Sequence, residues 1–73
     1  MNASDLIRMV NQIADYYRPY PREEAVKGVA DHIVAFWDPR MRAGLAEVVA
    51  SGGAGLSELA LAGARRAAHP VGA

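Results

Sequence analysis

The sequence predicts an all-α protein, a small bundle of three core helices with a fourth helix whose pattern is weaker. Apolar residues recur at spacings of three and four in three successive segments, which is the period of one face of an α-helix. Proline-rich or glycine-rich breaks separate these segments. No segment alternates apolar and polar residues over the length of a strand. We therefore expect core helices at about 5–17, 22–36 and 39–50, and a fourth at about 58–68.

The first predicted helix has a clear division into two faces. Its apolar face consists of Leu6, Met9, Val10, Ile13 and Tyr17. The opposite face consists of Arg8, Asn11, Gln12 and Asp15. Ser4 is the expected N-cap, because a serine hydroxyl accepts a backbone N–H at a helix start. Pro19 and Pro21 end this helix and open the next one.

The second predicted helix has an apolar arc wider than a single core requires. The central stripe consists of Val26, Val29, Ala30, Ile33 and Trp37. It is widened on one flank by Ala25, His32 and Phe36 and on the other by Val34. A helix of this kind lies between two neighbours, or contacts both its own core and a partner. Gly28 falls on the opposite face. It is either a tolerated weak point or a place where another chain approaches closely.

The third helix is predicted to begin at a sharp corner, where Asp38 is a good N-cap and Pro39 suits the first helical position. Its inward positions are Met41, Leu45, Val48 and Val49, and its back consists of Ala43, Ala46 and Ala50. The segment Ser51-Gly52-Gly53-Ala54-Gly55 supplies glycines for a left-handed C-terminal cap. Ser57 is the expected N-cap of the fourth helix, and residues 69–73 are expected to fray.

Composition excludes several classes of protein. The chain has 73 residues, which predicts one domain, residues 1–73. It has no cysteine, which excludes disulfides and thiolate metal sites. Its eight basic and eight acidic residues cancel, which argues against nonspecific binding of nucleic acid or anionic membranes. There is no apolar run of membrane-spanning length and no signal-peptide pattern at Met1–Asp5, so we expect a cytoplasmic protein.

The apolar content also predicts a partner. The chain is 52% hydrophobic and only 22% charged, although a domain this small has much surface to cover with polar groups. Much of the surplus is alanine, which tolerates exposure. A large partner would cover the rest.

Candidates for catalysis are few. His32 has no second histidine at helical spacing, and its neighbour Asp31 lies about 100° away around the helix, which favours a structural role. The glycine-rich segment follows no strand and precedes no Lys-Ser/Thr pair, so it is interpreted as a connector rather than a phosphate loop. The tyrosines Tyr16, Tyr17 and Tyr20 either cap one end of the bundle or hydrogen-bond a ligand, and capping is the simpler interpretation. We predict no catalytic, cofactor-binding or metal-binding residue.

The corner between the second and third helices is the candidate partner interface. It contains the only Phe and the only Trp of the chain, with two arginines beside them. Interface hot spots favour Trp, Tyr and Arg. The candidate residues are Tyr20, Phe36, Trp37, Arg40 and Arg42. The alternative for Trp37 is that it fills the core. The two arginines would bind DNA in a helix-turn-helix, but the neutral charge and the alanine-rich third helix argue against that.

Several segments resemble the delta subunit family of NAD-dependent, molybdenum-containing formate dehydrogenases. They are Leu6–Ala14, Ala25–Ile33, Phe36–Arg42 and the glycine-rich segment leading to Leu56-Ser57. The resemblance covers about residues 5–60. The run Trp37-Asp38-Pro39-Arg40-Met41-Arg42 is its distinctive part, because amphipathicity alone would not produce it.

This resemblance implies a non-catalytic accessory subunit of a cytoplasmic complex that oxidises formate and reduces NAD. The larger subunits of such a complex carry the molybdenum cofactor, the iron–sulfur clusters and FMN, and the delta subunit carries none of them. The implied partner is the catalytic (alpha) subunit, and through it the other subunits, with a role in assembly or stability. Two alternatives remain open from the residues: a self-associating helical module unrelated to an enzyme, and a helix-turn-helix DNA-binding protein.

Overall fold

The computed structural model describes residues 2–68, which form four α-helices and no strand. The helices are α1 (Ala3–Tyr17), α2 (Arg22–Phe36), α3 (Pro39–Ala50) and α4 (Glu58–Ala68). The predicted all-α class and the four predicted helices are confirmed. The fraying expected for residues 69–73 lies outside the described residues.

The start of α1 differs from the prediction. Asn2 is the N-cap, because its Oδ1 accepts a hydrogen bond from the backbone N–H of Asp5 at 2.9 Å. The prediction of Ser4 as N-cap is wrong, and Ser4 lies inside the first turn. Asparagine caps a helix as well as serine does. Asp5 lies in the first turn, where the helix dipole stabilises a carboxylate.

The core lies where the four helices meet and is built mainly from small and medium-sized side chains. Its buried residues are Leu6, Val10, Ala14, Val29, Ile33, Trp37, Leu45, Ala60 and Ala64. The fourth helix is an integral part of this core, because Ala60 and Ala64 are fully buried. α2 and α4 make the most extensive contact of any helix pair. They begin at the same end of the bundle, where the two terminal guanidinium nitrogens of Arg22 donate to the two carboxylate oxygens of Glu58.

Glycines inside the helices allow close crossings. A methyl group at Gly28 of α2 would lie 2.4 Å from the ring of Tyr17 in α1, and one at Gly63 of α4 would lie 2.3 Å from Val29 in α2. A methyl group at Gly44 of α3 would lie 2.8 Å from Leu6 in α1. Gly28 therefore packs against its own chain. The glycine thus permits a close approach, but the approaching group is the Tyr17 ring of the same chain, which reaches the face opposite the apolar stripe of α2.

The connection from α3 to α4 begins with the predicted glycine cap. Gly52 and Gly53 have φ angles of 107° and 70°, which favour glycine. The backbone N–H of Gly53 donates to the carbonyl of Val48 at 2.9 Å, and that of Gly52 donates to Val49 at 3.0 Å. This pair of bonds defines a Schellman motif, which satisfies carbonyls at the end of α3.

Asn11 of α1 fastens the rest of this loop. Its Nδ2 donates to the carbonyl of Gly55 at 2.9 Å, and its Oδ1 accepts from the backbone N–H of Ser57 at 2.9 Å. Asn11 therefore lies opposite the apolar face of α1, as predicted, but it is half-buried beneath the loop. Ser57 is the N-cap of α4 as predicted, since its hydroxyl accepts from the N–H of Ala60 at 3.2 Å.

Candidate docking surfaces

The corner between α2 and α3 is fixed by its own backbone and by one capping side chain. The N–H of Trp37 donates to the carbonyl of Ile33 at 2.9 Å and closes the last turn of α2. Oδ1 of Asp38 accepts from the backbone N–H of Met41 at 2.8 Å, and Pro39 occupies the first position of α3. The predicted cap is confirmed. α2 and α3 contact each other less than any other helix pair, so the two helices diverge from this corner.

Two adjacent aromatic residues at this corner have opposite environments. Trp37 is 5% exposed and belongs to the core. It lies four residues after the buried Ile33 and therefore on the same face of the helix. Phe36 is 75% exposed, and its ring rests on that of His32 with centroids 4.8 Å apart. Of the two roles weighed for Trp37, the structure shows core filling, and Phe36 is the aromatic side chain left outside.

Arg40 and Arg42 lie at the start of α3, and both are exposed. Residues two apart on a helix point about 160° away from each other, so these arginines flank the corner on two sides. Neither forms an ion pair with any residue from 2 to 68. Their position is unfavourable in itself, because the positive end of the helix dipole disfavours cations.

Tyr20 lies at the other end of α2, two residues before the helix begins at Arg22. A helix of 15 residues is about 22 Å long, so Tyr20 and Phe36 belong to different ends of the molecule. The rings of Tyr20 and Tyr17 are 5.3 Å apart, and those of Tyr20 and Tyr16 are 6.3 Å apart. A hydrogen bond to Tyr16 raises the pKa of Tyr20 above its usual value. The five candidate residues therefore do not form a single surface.

The groups considered for catalysis are dispersed in the described part of the chain. His32 is half-buried beside Phe36. Among residues 2–68, no three His, Asp or Glu side chains are grouped closely enough to hold a metal ion. The glycine-rich segment caps α3 and is bound to Asn11, which agrees with the connector interpretation. No helix within residues 2–68 combines the length and apolar character needed to cross a bilayer.

Comparison with known protein families identifies the chain. Residues 5–64 match the family described as NADH-dependent formate dehydrogenase delta subunit FdsD. This chain belongs to the FdsD family. The identification made from the segments between residues 5 and 60 is confirmed. Neither a search of curated proteins nor a search of solved structures found a match.

The family match includes the whole connection between α2 and α3. It extends from the first turn of α1 to Ala64 in α4, so it also contains the glycine crossings and the loop held by Asn11. FdsD membership makes the chain a delta subunit of an NAD-dependent formate dehydrogenase, with other subunits of that enzyme as partners.

Proposed function

We propose that this FdsD chain is a non-catalytic accessory subunit that docks on the molybdenum-bearing catalytic (alpha) subunit of formate dehydrogenase. It would support assembly or stability of the active enzyme in the cytoplasm. The molybdenum cofactor, the iron–sulfur clusters and FMN would belong to the larger subunits. The family match over residues 5–64 is the observation that carries this proposal.

The distribution of apolar residues supports a docking role. Phe36 is largely exposed, and the back of α3 presents Ala43, Ala46 and Ala50 to solvent. Burial of apolar surface is the main driving force of most protein association. A partner would therefore remove from water the surface that this small bundle leaves uncovered.

The small size of the chain supports mutual stabilisation of the two subunits on binding. A domain of this length buries only about 60% of the surface that its unfolded chain exposes. Binding to the folded state alone stabilises that state by mass action. The catalytic subunit would thus stabilise this chain, and the docked chain would in turn stabilise the catalytic subunit.

The proposal is tested by removing this chain from an expression system that produces the whole complex. We expect formate-dependent NAD reduction and the molybdenum content of the purified enzyme to fall together. Re-expression of the wild-type chain should restore both. Normal activity with normal molybdenum content in the absence of the chain would contradict a role in assembly.

Docking itself is tested by co-purification of the tagged chain with the catalytic subunit. We expect the catalytic subunit to be retained, and the isolated chain to be a monomer in light scattering. A stable homodimer that does not retain the catalytic subunit would favour the self-associating module instead.

A further inference from the structure

We propose that the α2–α3 corner, defined here as Phe36, Arg40 and Arg42, is the surface that contacts the catalytic (alpha) subunit. The partner would present an apolar pocket for the phenyl ring, with carboxylates at the edge of the pocket. This inference rests on the proposed docking function, and it adds the surface and the chemistry of the partner.

Phe36 is suited to be the anchor of such an interface. It is the most exposed of the large hydrophobic side chains in residues 2–68. Full burial of a phenyl ring is among the larger hydrophobic gains that a single side chain provides. Its contact with His32 already restricts the ring, so little conformational freedom is lost when a partner encloses it.

The support beneath the anchor is rigid. Trp37 is buried in the core directly after Phe36, and Asp38 caps α3 through the N–H of Met41. The backbone on both sides of the corner is therefore held before binding. Preorganisation of this kind lowers the entropic cost of association.

The basic residues elsewhere in the chain show why the two corner arginines are unusual. Four basic side chains have an acidic partner in the pairs Arg8–Asp5, Arg18–Asp15, Arg22–Glu58 and Lys27–Asp31. Arg65 and Arg66 occupy the last turn of α4, where the helix dipole favours cations. Within residues 2–68, only Arg40 and Arg42 have neither advantage. Carboxylates on a partner would supply the ion pairs that the fold does not provide for these two arginines.

The tyrosine end of the bundle does not have this combination. Tyr16 and Tyr20 are also exposed, but their rings contact each other and Tyr17. Arg18 and Arg22 beside them are both ion-paired. This end, about 22 Å from Phe36, therefore offers a matched control surface.

The experiment measures the affinity of the full chain for immobilised formate dehydrogenase that lacks its delta subunit. The variants are Phe36→Ser and the double reversal Arg40→Glu with Arg42→Glu. The matched controls are Tyr16→Ser and the double reversal Arg65→Glu with Arg66→Glu. Circular dichroism establishes that each variant retains wild-type helicity.

We expect Phe36→Ser to weaken binding by about 30-fold or more, which is the size of a hot-spot loss. The corner reversal should weaken binding by about tenfold at low salt, and this effect should shrink as salt screens the charges. Both controls should remain within about threefold of the wild type at every salt concentration.

The outcomes separate the two proposals. If the wild-type chain does not bind, the docking function fails. If it binds and both corner variants bind equally well, docking stands and the corner is not its surface. If only Phe36→Ser weakens binding, the carboxylate edge of the pocket is overturned.

Discussion

At the scale of single residues, Asn11 ties α1 to the loop between α3 and α4 with both ends of its amide. One end donates to Gly55 and the other accepts from Ser57. These partners lie more than forty positions away along the chain. No local pattern distinguishes such an asparagine from a solvated one, because the apolar period only places it off the core face.

We expect Asn11→Ala to lower the free energy of unfolding by about 1–3 kcal/mol, since two backbone groups of the loop lose their partners. Urea denaturation followed by circular dichroism measures the change. Asn11→Asp keeps the acceptor for Ser57 and loses the donor to Gly55, so its free energy of unfolding should lie between those of the wild type and Asn11→Ala. Gln12→Ala, at an exposed neighbouring position, is the control, and equal stability of the two alanine variants would contradict the clamp.

Gly28 offers a test in which the sign of the effect is decisive. Replacing a glycine inside a helix with alanine normally stabilises it by about 0.5–1 kcal/mol. Here the added methyl would lie 2.4 Å from the Tyr17 ring, so we expect a destabilisation of about 1–3 kcal/mol from overpacking. In a Tyr17→Ala background the same substitution should cost less, and a double-mutant cycle measures the difference. Stabilisation by Gly28→Ala in the wild-type background would contradict the close crossing.

At the scale of elements, the ion pair between Arg22 and Glu58 joins the first turns of α2 and α4. The hydrogen bonds from Arg22 lower the pKa of the Glu58 carboxyl below its usual range. Because this pKa is lower in the folded than in the unfolded state, the pair stabilises the fold at pH values above the pKa of the unfolded state. That stability is lost as the pH falls through the folded pKa. Both side chains are exposed, so salt also weakens the pair.

We therefore expect Glu58→Gln to lower the melting temperature at about pH 7 in low salt. The difference from the wild type should disappear as the pH approaches about 2, where the protonated Glu58 of the wild type is uncharged like the glutamine that replaces it in the variant. Thermal unfolding followed by circular dichroism measures it, and Glu23→Gln is the control on the same end of α2. A difference that persists at acid pH or at high salt would show that Glu58 acts by packing instead.

The helices themselves are the part of the fold that the sequence predicts best, because their limits depend on local signals. Pro19 with Pro21, Asp38 with Pro39, and Gly52 with Gly53 each act within a few residues of their own position. The start of α1 was mispredicted because both Asn2 and Ser4 are good caps. The crossing at Gly28 and the pair Arg22–Glu58 depend on how helices meet, which periodicity does not specify.

At the scale of the whole molecule, the sequence predicts which types of residue form the candidate surface, but not which of the five candidates lie together on it. The sequence indicates an aromatic and basic corner, and Phe36, Arg40 and Arg42 are exposed there. Trp37 turned inward because its helical position follows Ile33. Tyr20 is among the candidate residues because interface hot spots favour tyrosine, but the length of α2 separates it from Phe36.

Trp37 also connects this corner to global stability. A buried Trp→Ala change costs about 3–5 kcal/mol. A core this small rarely supplies more than about that amount, so we expect Trp37→Ala to be largely unfolded at room temperature. Trp37→Phe should remain folded with a lower melting temperature. Circular dichroism melts measure both, and a wild-type melting curve for Trp37→Ala would contradict its place in the core.

The single indole of the chain also makes the protein suitable for fluorine NMR. Biosynthetic substitution of fluorotryptophan would place one fluorine label in the chain, at residue 37, next to Phe36. The resonance would come from a buried ring whose surroundings change when the neighbouring phenyl group is enclosed. Titration with unlabelled formate dehydrogenase would then report engagement at this position against a silent background from the much larger subunits.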